Sequence, residues 1–141
     1  MKLDVSSLRY LTNDHFRILE AIEVGMKNHE LVPVTIITRL AALRSGGVHK
    51  IISHLIRNKL IAHEGNAYEG YRLTYSGYDF LALRLFLKKG VIVGLGRQIG
   101  VGKESDIYLA VRADGTEIAI KFHRLGRTSF RAVKNVRNYF A

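Results

Sequence analysis

Hydrophobic residues in the first sixty positions fall at helical spacing, broken by turn signals. Phe16, Leu19, Ile22 and Met26 form one stripe, which predicts an amphipathic helix over about residues 13–27. Thr12 or Asn13 can cap it, because a short oxygen-bearing side chain satisfies a free N–H of the first turn. The polar run from Lys27 to Glu30 interrupts the stripe. Pro33 suits the first turn of a second helix, where its missing N–H costs nothing, and Ile36, Ile37, Leu40 and Leu43 supply the core face. Ser45, Gly46 and Gly47 signal a turn. A third helix is expected from Val48 to about Lys59. It turns Ile51, Ile52, Leu55 and Ile56 inward and Lys50, Ser53, His54 and Arg57 to the opposite face.

The period then shortens. Leu60 to His63 and Gly70 to Thr74 read as two short strands around a turn containing Gly65 and Asn66. Three helices followed by a hairpin is the layout of a winged helix-turn-helix domain, whose third helix is the usual reader of nucleic acid. Ser76 to Asp79 has the form of a capping box opening a fourth helix that runs to about Lys89, with Lys88 and Lys89 suited to its C-terminal dipole and Gly90 as a stop. Tyr78, Phe80, Leu81, Leu83, Leu85, Phe86 and Leu87 make this helix apolar on more than one side, which predicts burial on both faces and a stiff join to the next domain. Val91 to Leu95 is expected to be extended. Ile107 to Val111 and Glu117 to Lys121 read as strands joined by a turn over Ala113 to Thr116. The fold class is α+β: a winged helix domain with its connecting helix over residues 1–90, then an antiparallel sheet within 91–141.

Charge narrows the choice of partner. Lysine and arginine exceed aspartate and glutamate by ten, and the isoelectric point is about 10.1. Such a balance favours a polyanion, either nucleic acid or nucleotide phosphate. No acidic residue follows Glu117, while Lys121, Arg124, Arg127, Arg131, Lys134 and Arg137 come at short intervals. Lys50, His54, Arg57, Arg131, Lys134 and Arg137 are therefore the candidates for RNA contact, although Glu64 and Glu69 on the hairpin would repel phosphate. His15, His29, His49, His54 and His63 share no ligand spacing and read as surface or capping residues, so no metal site is assigned. The chain has no cysteine, which excludes disulfides and thiolate metal sites. No apolar run approaches the roughly 20 residues needed to span a bilayer, so no membrane partner is expected.

The chemistry concentrates between Gly100 and Lys121. A P-loop requires glycine, four residues, then Gly-Lys-Ser/Thr. Here Arg97 stands at the first glycine and Glu104 at the hydroxyl position. A dinucleotide fingerprint from Gly94 and Gly96 would need a third glycine where Ile99 stands. The protein-kinase loop fits better. Gly100 and Gly102 take its first two glycine positions and Ser105 its third, a strand pair follows, and Ile118-Ala119-Ile120-Lys121 is close to Val-Ala-Ile-Lys. The glycines let backbone N–H groups approach phosphate oxygens, Ser105 adds a hydroxyl, and Lys121 supplies a point charge. Ile99, Ile107 and Ala119 would cover the base. The nucleotide-binding set is then Ile99, Gly100, Val101, Gly102, Lys103, Glu104, Ser105, Ile107, Ala119 and Lys121.

These residues carry a family resemblance. Gly100 to Tyr108, reading GVGKESDIY, and Lys121 to Arg131, reading KFHRLGRTSFR, closely resemble the RIO family of atypical protein kinases. Its second subfamily has a winged helix in front of the kinase domain, and Met1 to Asp4, Lys27 to Pro33 and Gly70 to Thr74 resemble that subfamily in eukaryotes. The resemblance implies that residues 91–141 are the N-terminal lobe of a kinase domain, incomplete here. It implies an ATP- and Mg2+-dependent serine/threonine kinase or ATPase. That enzyme would join precursors of the small ribosomal subunit, with their RNA and assembly proteins, and act in late cytoplasmic maturation, with shuttling through the nucleus left open. It assigns Lys121 to the ATP phosphates, Gly100 to Ser105 to the triphosphate, and the basic segment after Gly126 to a helix with Phe130, Val133 and Phe140 on its apolar side. The family's His-Gly-Asp-x-x-x-x-Asn loop and metal-binding Asp-Phe motif do not occur here, and Asp79-Phe80 lies in the helical part. The general base and metal ligands are thus expected beyond Ala141. The competing reading is a non-catalytic winged helix module that binds RNA or a ribosome precursor.

Overall fold

The structure is a computed structural model, and it describes residues 10–44, 46–65, 69–102 and 105–123. The chain divides into two compact units, Met1–Arg84 and Leu85–Ala141.

The first unit is the winged helix. Helix α1 (Asn13–Gly25) starts at Thr12, whose side chain accepts from the backbone N–H of His15. The His15 ring returns the favour to the Thr12 N–H, closing a capping box with an imidazole where glutamate or glutamine is usual. Phe16, Leu19 and Ile22 are buried as the stripe predicts, and Ile18 and Ala21 widen the buried face. The helix ends at Gly25, earlier than the period suggested. The Gly25 carbonyl accepts from the backbone N–H groups of Asn28 and His29 and so turns the chain. Helix α2 (Val34–Ala41) has Pro33 as its N-cap, one position before the first turn, and it buries Ile37 and Ala41. Ile36 and Leu43 are only half-buried and Leu40 is 43% exposed, so the four-residue core face narrows to the Ile37–Ala41 line.

Helix α3 (Val48–Arg57) follows the left-handed Gly46 and Gly47. It buries Val48, Ile52 and Leu55, whereas Ile51 is half-buried and Ile56 exposed. Its C-terminus is a Schellman motif: the Leu60 N–H donates to the Leu55 carbonyl and the Lys59 N–H to the Ile56 carbonyl. Lys59 occupies the left-handed position with φ 60°, where glycine is favoured. Leu55 and Leu60, at the two positions such a motif brings together, are both buried.

Strands β1 (Ile61–Gly65) and β2 (Glu69–Leu73) form the wing, antiparallel with Ile61 opposite Leu73. Val32 exchanges both backbone hydrogen bonds with Tyr71, so the segment before α2 joins the two-stranded wing through a one-residue bridge that the sequence did not suggest. Helix α4 (Tyr75–Lys88) corrects the expected cap. Thr74, not Ser76, takes the role: its hydroxyl accepts from the Gly77 N–H at 3.2 Å and donates to the Lys59 carbonyl at 2.7 Å. That second bond ties the helix start to the end of α3, and it is available only at residue 74. Ser76 and Asp79 are buried instead. Arg84 lies over the Phe16 ring and donates to the Asn13 side chain, fastening α4 to α1. Along α4, Phe80 and Leu83 are buried while Leu85 is 48% exposed, so its apolar character does not translate into burial all round.

The second unit is a three-stranded antiparallel sheet in the order β3-β4-β5, built from β3 (Gly94–Val101), β4 (Ser105–Val111) and β5 (Glu117–His123). Alternation along β4 is strict: Asp106, Tyr108 and Ala110 are buried, and Ser105, Ile107 and Leu109 are not. Tyr108 and Phe122 meet edge to face at 5.9 Å between centroids. The turn between β4 and β5 is held by Asp114, whose carboxylate accepts from the Thr116 N–H, and by Gly115 at φ 86°. A hydrogen bond from the Thr116 side chain, and then this backbone bond, hold the Asp114 carboxyl below its ordinary value.

Candidate nucleotide-binding face

Strand register assembles the site. In an antiparallel ladder, residues directly opposite one another project to the same side. Ser105 pairs with His123, Ile107 with Lys121, and Leu109 with Ala119. On the other flank of β4, Gly100 pairs with Ile107. Gly100, Ser105, Ile107, Ala119 and Lys121 therefore share one face of the sheet, the one turned away from Tyr108 and Ala110. Lys121 is exposed there and pairs with no carboxylate among the described residues.

The remaining predicted residues are placed differently. Val101 pairs with Asp106 and so belongs to the opposite side, with 73% of its surface exposed. Only its backbone is available to the site face. Ile99 sits in the irregularity between Gln98 and Gly100, where the register shifts, and is half exposed. A bulge of this kind bends the strand toward the loop that follows. The Gly102 N–H donates to the Ser105 carbonyl at 2.8 Å and closes that loop. Lys103 and Glu104, at its tip, lie outside the described residues.

Three members of this face were missed in the sequence. Gly96 faces Leu109, whose Cβ would stand 3.5 Å from an added Cβ, and His123 lies across from Ser105. Parity alone could have found His123, two residues beyond Lys121, and Leu109, four beyond Ser105. Gly96 could not be found that way, because the register shift in β3 breaks the count.

Space at the glycines tests the fit to a triphosphate. A Cβ at Gly100 would meet Ile107 Cδ1 at 3.4 Å, and one at Gly102 would meet the Ser105 oxygens no closer than 3.7 Å. Internal packing does not force glycine at either place. What the missing side chains leave is open space beside an exposed lysine and a serine hydroxyl, two donors suited to phosphate oxygens.

The candidate RNA residues divide as well. Lys50 and Arg57 are exposed on α3. His54 is half-buried, its Nδ1 lying 2.7 Å from Nε2 of His15. His15 Nδ1 lies 2.8 Å from the Thr12 hydroxyl. Burial, and then the neighbouring His54, lower the His15 pKa, against a smaller opposite pull from Asp14. Arg131, Lys134 and Arg137 lie outside the described residues, as do Phe130, Val133 and Phe140.

Comparison with known proteins identifies the family. The model of the family described as Rio2, N-terminal, matches residues 8–89. The serine/threonine-protein kinase rio2 of Dictyostelium discoideum is 55% identical over 139 residues, which is 99% of this chain and 27% of that protein. The serine/threonine-protein kinase RIO2 of Saccharomyces cerevisiae is 48% identical over 141 residues, again 99% of this chain and 33% of the relative. Among solved structures, the Rio2 kinase–ADP/Mg2+–phosphoaspartate complex from Chaetomium thermophilum superposes with a TM-score of 0.84 at 48% identity, covering 94% of this chain and 40% of that one. The chain thus spans less than half the length of each of these proteins. A domain match across more than half of the chain, with relatives about half identical along nearly all of it, shows that the chain belongs to the Rio2 family.

Proposed function

We propose that this chain carries the nucleotide half of the active site of an atypical serine/threonine kinase or ATPase. The carrying observation is the single sheet face that holds Gly100, Ser105, Ile107, Ala119 and Lys121. On it, Ile107 and Ala119 offer apolar cover for a base. Lys121 offers a point charge for phosphate, and Ser105 a hydroxyl next to the loop. Bound Mg-ATP would supply the phosphoryl group and the neutralising cation. The ADP and Mg2+ in the Chaetomium relative support that pairing. The general base and the metal ligands are assigned to the part of the relatives' length that this chain does not span. Cytoplasmic maturation of the small ribosomal subunit, with its RNA and assembly proteins as partners, is the process in which we place the intact enzyme. That assignment is supported by the family resemblance of the loop and of the segment from Lys121 to Arg131.

The test is Lys121→Ala in a protein of the relatives' full length. ATP turnover is expected to fall to background, and turnover at the original rate would sink the assignment. A second reading is favoured by the exposed Lys50 and Arg57 on α3: contact between the winged helix and RNA of a ribosome precursor. Mg-ATP should leave RNA binding at α3 unchanged. Competition between the two would instead locate the RNA at the sheet loop.

A further inference from the structure

The contact between His15 and His54 joins two helices through residues 39 positions apart, and its polarity can be worked out. The backbone N–H of Thr12 is a donor only, and it points at His15 Nδ1 at 3.3 Å. Nδ1 is therefore an acceptor, which also takes the Thr12 hydroxyl proton at 2.8 Å. The proton of the neutral His15 ring must then sit on Nε2, from which it is donated to His54 Nδ1 at 2.7 Å. That makes His54 Nδ1 an acceptor and puts the His54 proton on Nε2. Among the described residues that Nε2 has no protein partner, and no buried side-chain nitrogen or oxygen lacks one, so it reaches solvent.

The surface it reaches has a consistent character. His54 lies four residues after Lys50 and three before Arg57, on one face of α3. From Leu31 to His63 the sequence contains no aspartate or glutamate, but it has Arg39, Arg44, Lys50, Arg57 and Lys59. The carboxylates Asp14, Glu20 and Glu23 are instead on α1. Lys50 and Arg57 stand about 10 Å apart along the helix at 1.5 Å per residue, with His54 between them. Two cations flanking a directed neutral donor complement a row of phosphate oxygens rather than a single anion.

We propose that Thr12, His15 and His54 form a tautomer-setting relay in which His15, on α1, is a positioning residue that presents the His54 Nε2–H, between Lys50 and Arg57, to the phosphate backbone of RNA. This rests on the second reading above, that α3 contacts RNA. The relay itself stands on geometry within the winged helix alone. It adds a function for α1: its N-terminal cap and the exposed face of α3 share one hydrogen-bond chain, so a change at one is felt at the other.

The test uses the 141-residue chain, nitrogen-15 spectra of the ring nitrogens, and a short fluorescein-labelled RNA hairpin at low salt. The unaltered chain should show the His54 proton on Nε2. His15→Leu should release that tautomer and weaken RNA binding about fivefold, the size of one lost hydrogen bond. The same change in a His54→Ala background should cost nothing further. His15→Gln, which keeps both an acceptor for Thr12 and a donor for His54, should restore tautomer and affinity. A proton on His54 Nδ1 in the unaltered chain would overturn the relay, as would an equal loss from His15→Leu in both backgrounds. RNA affinity unmoved by Lys50→Ala with Arg57→Ala would overturn the RNA surface and the reading beneath it. The ring-nitrogen spectra judge the relay separately.

Discussion

Glycine has different reasons to be present in the two units. In the winged helix, Gly25, Gly70 and Gly77 have no room for a side chain. An added Cβ would stand 2.6 Å from a Val32 methyl, 2.7 Å from Leu31 Cβ and 2.2 Å from the Leu60 carbonyl oxygen, respectively. At Gly70 and Gly77 backbone atoms obstruct it, so little can give way. In the sheet, Cβ atoms at Gly96, Gly100 and Gly102 would meet their neighbours at 3.4 Å or beyond, ordinary van der Waals separations. At these three positions the first unit uses glycine to pack against itself, whereas Gly46 and Gly47 serve its turn. The second keeps glycine where its own packing does not ask for it, as a surface reserved for a ligand would.

Substitutions in the two units should therefore act on different quantities. The largest effect is expected from Gly77→Ala. Alanine is the better helix former, but its methyl would press on the Leu60 carbonyl, and overpacking against backbone costs about 3 kcal/mol. Thermal unfolding followed by circular dichroism should show a lowered midpoint; an unchanged one would mean that α4 and Leu60 are not in this contact. The counterpart in the sheet is Lys121→Ala. The side chain is exposed and unpaired among the described residues, so stability should move by less than about 0.5 kcal/mol. Nucleotide affinity should fall about tenfold or more, as for a lost charge-assisted contact. Calorimetric titration with Mg-ATP reads the second number and thermal unfolding the first. If both units answered alike, with stability changing and binding not, the contrast would fail.

A smaller gain is expected at the end of α3. Lys59 holds a left-handed conformation, which costs an L-residue about 1–2 kcal/mol, partly offset by glycine's greater freedom in the unfolded chain. Lys59→Gly should therefore stabilise the winged helix by about 0.5–1 kcal/mol, read as a raised urea midpoint with an unchanged slope. The smallest effect concerns pH. The folded state holds the His15 pKa below its ordinary value, so the unfolded chain binds more protons as pH falls beneath about 6.5. The stabilisation is complete above that pH and declines as pH drops toward the lowered folded value. His15→Gln should flatten this slope between pH 7 and 5, by a modest amount because the ring is largely solvated. An unchanged slope would assign the acid sensitivity to another group.

Local features were legible in the chain wherever a local pattern produces them. Helix α1 and its Thr12 cap, the turn at Gly115 and the strand from Ile107 to Val111 follow from side-chain period and backbone preference within a few residues. The loop-strand-lysine motif was readable for the same reason, since its parts lie within about two dozen positions. The reading failed where a distant atom made the choice. Ser76 looked like the cap of α4, yet Thr74 has that role because the Lys59 carbonyl lies within reach of its hydroxyl. Leu40 and Ile56 counted as core by spacing, yet among the described residues they stay 43% and 38% exposed.

By itself, then, the sequence determined the order and kind of the elements, the basic balance, and which residues could handle phosphate, since all of these are properties of short segments and of composition. Only the tertiary structure decided which of those residues share a face. The register shift in β3 sets Gly100 opposite Ile107 and sends Val101 to the other side, a one-residue matter that period-two counting cannot resolve. The packing of α1 on α3 brings His15 to His54 and thereby chooses the tautomer that His54 presents. Contacts between residues far apart in the chain are fixed by how whole elements pack, and that information is in no single stretch.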